Sequence, residues 1–185
     1  KSPLALFHTD AVQGFFKIPF KAKTLGADLL SVSGHKIHAA KGVGALYIRP
    51  GVNLPPYILG GGQERGQRSG TENLPGICGF GAACAAQLPH LKDDIAHMSQ
   101  LRDLCRARLS EIPGVVLIGK QDAPHIVNLS VPGLRSQGLI NCLQSDGIYV
   151  SAGSACSKGH RSHVLEALHL SPAVIDGSIR VSLCA

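Results

Sequence analysis

The sequence predicts an α/β protein in two parts, a parallel-rich sheet domain over residues 1–90 and a small α+β domain over 91–185. Three observations predict it. Apolar, strand-like runs in the first half end in polar and charged clusters, as strands of open α/β sheets do. A long amphipathic helix starts near residue 91. After it, the chain alternates shorter strand-like and helix-like runs.

In chain order, Leu4–Phe7 reads as a buried strand closed by the polar run His8-Thr9-Asp10. Ala27–Ser33 is a second strand, leading into Gly34-His35-Lys36. Val43–Ile48 is a third, stopped by Arg49-Pro50-Gly51. Leu59–Gly70 is a Gly-rich loop carrying Arg65 and Arg68, followed by a tightly packed small-residue helix over Gly76–Ala86. Over Leu91–Ile112, Leu91, Ile95, Met98, Leu101, Leu104 and Leu109 form one apolar stripe, and Pro113-Gly114 ends that helix. The domain boundary is expected near residues 87–92. Val115–Ile118 and Ile126–Val131 read as strands, and Ser136 as the N-cap of a helix through Leu143. Ile148–Ser151 is a strand, Arg161–Leu168 a helix and Ile179–Leu183 a last strand.

Composition narrows the function classes. Of 185 residues, 44% are apolar and 16% charged, the balance of a globular chain with a core. No apolar run approaches the ~20 residues that span a bilayer, and the N-terminus carries no signal-peptide pattern. The chain lacks an initiator Met and stops just after a strand-like run, so both ends are expected to be truncated. The net charge is +6, but the basic residues are scattered, Trp is absent and aromatics make up 4%. That speaks against a nucleic-acid partner, which needs stacking surfaces, and for an anionic cofactor or substrate. The cysteines are Cys78, Cys84, Cys105, Cys142, Cys156 and Cys184. None has the spacing of a zinc or redox pair, and most lie in apolar runs, as in a reducing, cytoplasmic protein.

Four motifs carry chemistry. Lys36 directly follows a strand, beside Ser33 and His35. The strand end fixes an amine suited to a Schiff base, while hydroxyl and imidazole can hold a phosphate. The plain alternative for Lys36 is a solvated charge. Asp10, at a neighbouring strand end, suits a pyridinium nitrogen and Gln13 a ring oxygen; a loop cap and a surface amide are the alternatives. The run Gly60–Asn73 combines glycines, Arg65, Arg68 and Thr71, a composition suited to an anion or to a flexible surface loop. Ser151–Gly159 surrounds Cys156 with small residues, and Lys158 and His160 would favour its thiolate. His35/His38 and His160/His163 repeat at a spacing of three, but no further ligands complete a metal site.

Together these blocks resemble a cysteine desulfurase of the NifS/IscS type. The resemblance rests on His8–Gln13, Ser33–Lys36 with Lys41–Tyr47, Gln63–Asn73, Ser151–Cys156 and Ser178–Ser182, in the family's order. It implies a fold-type-I pyridoxal-phosphate (PLP) enzyme that converts L-cysteine to L-alanine and an enzyme persulfide. Lys36 would hold the cofactor and move protons, and Cys156 would take the sulfur. Asp10 would pair with the ring nitrogen and Gln13 with the ring oxygen. Ser33 and His35 would bind phosphate, with Thr71 contributing from the partner subunit of a homodimer. Arg180 would clamp the substrate carboxylate. A sulfur-acceptor protein, for instance in iron–sulfur cluster assembly, is implied as well. The family's chain is considerably longer, and its N-terminal half carries further cofactor contacts. His38-Ala39-Ala40 departs from the family's Gly-Pro before Lys41-Gly42, and the segment after Cys156 is shorter than in the IscS branch. Two rivals follow: a selenocysteine lyase or other class-V aminotransferase-like enzyme, and a non-catalytic module that keeps only dimerisation or partner binding. The fragment alone is expected to be inactive.

Overall fold

The computed structural model describes residues 5–120, 122–152 and 161–185. The chain divides into two compact units, Lys1–Leu91 and Lys92–Ala185.

The first unit is built on a three-stranded sheet of β1 (His8–Asp10), β2 (Leu29–Ser33) and β3 (Gly44–Ile48), in that order. β1 runs parallel to β2, with Asp10 opposite Ser31, and β3 runs antiparallel to β2, with Gly44 opposite Ser33. The sheet is therefore mixed rather than parallel throughout. Connection length explains the difference. Residues 11–28 between β1 and β2 have room for a crossover that includes a short helix, α1 (Ala22–Leu25). Residues 34–43 between β2 and β3 hold only a 3₁₀ turn, Gly34–Ile37, so the chain must fold straight back. β1 occupies the polar run rather than Leu4–Phe7. Pairing with β2 decides this: His8, Thr9 and Asp10 find partners there, whereas Leu6 and Phe7 are exposed.

Buried Ala11, Ala27, Leu30, Ile37 and Val43 form the interior of this unit. α2 (Leu74–Gln87) packs on the Gly34–Ile37 turn; its N-cap Asn73 accepts a hydrogen bond from Gly76 N at 3.1 Å, and Pro75 fits its first turn.

The second unit begins with α3 (Leu91–Ser110) and contains an antiparallel sheet of β4 (Val116–Ile118), β5 (Ile126–Ser130) and β6 (Ser178–Ser182). Strand alternation gives the sheet two faces. Val127, Leu129 and Ile179 pack with Cys105 and Leu109 of α3, and with Leu139, Ile140 and Leu143 of α4 (Ser136–Ser145). On the opposite face Ile118 packs with Leu165 of α5 (His163–Ala167) and Ile175 of α6 (Pro172–Asp176). Buried Ser130 fastens α6 to the sheet by donating to Val174 O at 2.7 Å.

Local expectations fail in two places here. Arg135, not Ser136, is the N-cap of α4, and Ser136 is its first helical residue, without a side-chain cap bond. Ile148–Val150 is not a strand; only Ser151 bridges to the sheet. The helix Pro172–Asp176 had no sequence expectation, being a single short turn that starts on a proline. Among the described residues no helix is long and apolar enough to cross a membrane.

Candidate active site

Because β1 and β2 are parallel, both present their carboxyl ends to one edge of the sheet, and β3 starts at that edge. Asp10 ends β1; Ser33 ends β2; Gly34–Ile37 turns immediately after it. Asp10 lies one strand spacing, about 4.8 Å, from its partner Ser31, and Ser33 ends β2 two residues further on.

Each group is held differently. Asp10 is exposed and its Oδ1 accepts from Val12 N at 2.9 Å, which orients the carboxylate. Its Oδ2 has no hydrogen-bond partner among the described residues. Ser33 Oγ and His35 Nδ1 lie 2.7 Å apart and share one proton, so His35 Nε2 points away unengaged among the described residues. Lys36 is half-buried in the 3₁₀ turn and makes no ion pair or hydrogen bond among the described residues. The backbone of the turn therefore sets only the direction of its Cα–Cβ bond. Gly34 N donates to Val43 O at 2.9 Å, and Ala39 N to Gly34 O at 3.1 Å. A Cβ on Gly44 would lie 2.5 Å from Val32 O, so only glycine lets β3 close on β2 here.

A hollow of about 470 Å³ opens at this edge, lined by Ser33, His35, Lys41, Gly42, Val43 and Gly44. Its side chains are donors and a cation, with no carboxylate, which suits an anion. Lys41 and Gln87 are site-adjacent residues that sequence reasoning did not single out. Lys41 sat inside a quoted motif without a role of its own. Gln87 ends a helix of small residues and carries no local signal. His8, at the start of β1, lies with its Nε2 3.0 Å from Ser31 Oγ in the middle of β2.

Other candidates lie elsewhere. Gln13 is exposed in the turn after β1. Thr71 is exposed, two residues before the N-cap of α2, and makes no hydrogen bond among the described residues. The glycine-rich loop before it is braced internally: Gly70 N donates to Gln63 Oε1, and Arg68 to Gly70 O. Those two donors are spent within the loop. Cys156, with Lys158 and His160, lies outside the described residues.

In the second unit Arg180 sits mid-β6, opposite Asn128, on the sheet face that also carries Ile118. It is half-buried, and its Nε is buried without a hydrogen-bond partner among the described residues. Ser151 pairs with it through two backbone bonds, of 3.2 and 2.6 Å. Arg161 makes a bidentate pair with Asp176, at 2.7 and 2.8 Å, just ahead of β6. Both described flanks of the Cys156 segment are thus tied beside the start or middle of one strand.

The Arg161–Asp176 pair gives a pH signature. Hydrogen bonding and charge from Arg161 hold the Asp176 carboxyl below the usual carboxylate range. A carboxyl whose pKa is depressed on folding stabilises the protein above its unfolded value and loses that contribution as pH falls through the folded value. Asp176→Asn is therefore expected to melt slightly lower than wild type at neutral pH, by the small amount typical of an exposed pair. The difference should begin to shrink below about pH 4, the unfolded carboxylate range, and vanish only once pH falls below the depressed folded value. Thermal melts of both proteins across that range check this, and a gap that persists in acid contradicts it.

Comparison with known proteins gives a consistent result. The aminotransferase class-V family matches residues 1–185. A cysteine desulfurase from Nostoc sp. is 45% identical over 97% of this chain, which corresponds to 46% of the Nostoc protein. The solved structure of a NifS-like protein superposes with a TM-score of 0.85 at 41% identity, covering 97% of this chain and 47% of that one. A structure described as SspA in complex with cysteine gives a TM-score of 0.72 at 31% identity, covering 97% and 50%. The chain spans about half the length of these relatives.

Proposed function

Because this chain belongs to the aminotransferase class-V family, we propose that the protein is a pyridoxal-phosphate-dependent cysteine desulfurase, releasing L-alanine and keeping the sulfur as a persulfide on Cys156. The observation that carries this reading is the gathering of Asp10, Ser33, His35 and Lys36 at one sheet edge beside an anion-suited hollow.

The donor set suits pyridoxal phosphate. A phosphate dianion needs donors and positive charge; Lys41 supplies the charge, and, whichever way the Ser33–His35 proton lies, Ser33 Oγ or His35 Nε2 supplies a donor. A protonated ring nitrogen needs a fixed carboxylate, and Asp10 is already oriented by its bond from Val12 N. A ring oxygen is the assigned partner of Gln13, and Thr71 is assigned to the phosphate of a partner subunit in a homodimer. When bound, the cofactor withdraws electrons from the substrate's carbon skeleton.

The chain's own residues then have these roles. Lys36 would hold the cofactor by its Nζ and would carry a proton there. Arg180 orients the substrate by its carboxylate. Cys156 as a thiolate would bond to the substrate sulfur as the substrate's Cβ–S bond breaks, the electron pair passing to the carbon skeleton that is protonated to alanine. Its sequence setting among small residues, with Lys158 and His160, favours the thiolate. Residues 1–90 would be the C-terminal part of a cofactor-binding domain and 91–185 the small domain. A cytoplasmic location suits a free reactive thiol, and a sulfur-acceptor protein is the expected recipient.

The test is an assay of the full natural chain with pyridoxal phosphate and L-cysteine. Equal amounts of alanine and transferable sulfur are expected, with sulfur release abolished by Cys156→Ala. Unchanged turnover in that variant would remove Cys156 as acceptor, and no alanine from the wild type would remove the activity.

A further inference from the structure

We infer that Gln87 is a positioning residue for Lys36, acting through the carbonyl that ends the lysine's turn. The inference rests on the reading that Lys36 carries the cofactor.

The turn Gly34–Ile37 is a single 3₁₀ turn, and such a turn leaves its last carbonyls without internal partners. Gly34 O is satisfied by the N–H groups of His38 and Ala39. Ile37 O cannot be satisfied in the same way, because His38 turns the chain into the left-handed region at φ 64° and redirects it toward β3. Its partner comes from fifty residues away. Gln87 Nε2 donates to Ile37 O at 2.7 Å, and the same nitrogen is 3.3 Å from Ala83 O in its own helix. That second contact holds the amide in the orientation that meets the turn. The bond is partly buried, and the Ile37 side chain below it is 1% exposed, so water is a poor substitute for the amide.

Lys36 immediately precedes this capped carbonyl. Its side chain finds no polar partner among the described residues, so the direction of its Cα–Cβ bond is set by the backbone of the turn. That backbone has two anchors. One is the ladder to β3 through Gly34 and Val43, and the other is Gln87 on α2. Removing the second lets the C-terminal half of the turn reorient while the sheet stays intact. The expected consequence is a displaced amine rather than an unfolded unit. A displacement below an ångström is enough to weaken a site that depends on alignment.

Two variants separate positioning from plain structural support. Gln87→Met keeps length and removes the amide. Gln87→Glu keeps shape, but an ionised carboxylate cannot donate to Ile37 O. Both are to be made in the full natural chain, with pyridoxal phosphate as the probe. The readouts are its dissociation constant, the pH midpoint of its visible absorbance band and the melting temperature without it. We expect the dissociation constant to rise about 3- to 10-fold in both, the range set by one hydrogen bond, with a shifted midpoint and a modestly lower melting temperature, because Ile37 O loses its partner. In Gln87→Glu the deficit relative to wild type should shrink as pH falls through the carboxyl range, because the protonated acid donates again. Wild-type affinity and an unmoved midpoint in both variants would overturn the positioning role alone. A changed melting temperature with an unmoved midpoint would overturn it too. A wild-type protein that takes up no pyridoxal phosphate would overturn the cofactor assignment, and the inference with it.

Discussion

Lys36→Ala is expected to lower cysteine turnover by about 10³-fold, within the range general acid–base groups contribute, and to abolish the visible band of bound pyridoxal phosphate. The size of the effect follows from the lysine having two roles in the proposed chemistry, first as the anchor of the aldehyde carbon and then as a carrier of protons at the same place. Its fold cost should be slight. The side chain is half-buried and makes no hydrogen bond or ion pair among the described residues. The turn around it is fixed by Gly34, Ala39 and Gln87 instead. The variant should therefore melt close to wild type without cofactor. A Lys36→Ala protein that keeps both the band and its turnover would place the reactive amine elsewhere.

Arg180→Met is expected to move activity and stability in opposite directions. The Arg180 Nε is buried without a hydrogen-bond partner among the described residues, a position that costs about 1–3 kcal/mol. Methionine preserves much of the apolar stem and removes the unpaired donor, and the backbone pairing with Asn128 and Ser151 is untouched. The melting temperature should rise. In the proposed function the same guanidinium clamps the substrate carboxylate, and losing such a charge-assisted pair costs about 2–5 kcal/mol. That is roughly 30-fold to several thousand-fold in kcat/KM, read mainly as a higher KM for cysteine. Steady-state kinetics and thermal melts on one preparation decide it. A variant that melts lower and keeps its KM would show that the unpaired nitrogen is structural and the carboxylate is held by another group.

In the second unit Arg180 Nε is buried without a hydrogen-bond partner among the described residues, whereas Ser130 of β5 donates to Val174 O. Natural chains break local rules of satisfaction at functional sites and compensate elsewhere.

The sequence by itself determined the long helices and the strands with strong apolar character, and it nominated the candidate site residues. Leu29–Ser33, Gly44–Ile48, Leu91–Ser110 and Ile126–Ser130 fall within a few residues of the expected runs, because burial dictates periodicity and periodicity is written locally. Only the tertiary structure decided that β1 is the polar run His8–Asp10, since a short strand is defined by its neighbour's hydrogen bonds and not by its own hydropathy. It also decided the mixed direction of the first sheet, which depends on what the connections can span. The cap on the lysine turn was equally invisible, because Gln87 and Ile37 are fifty residues apart and nothing in either neighbourhood announces the other. Local chemistry can be read along a chain, whereas the contacts that aim it are made across the fold.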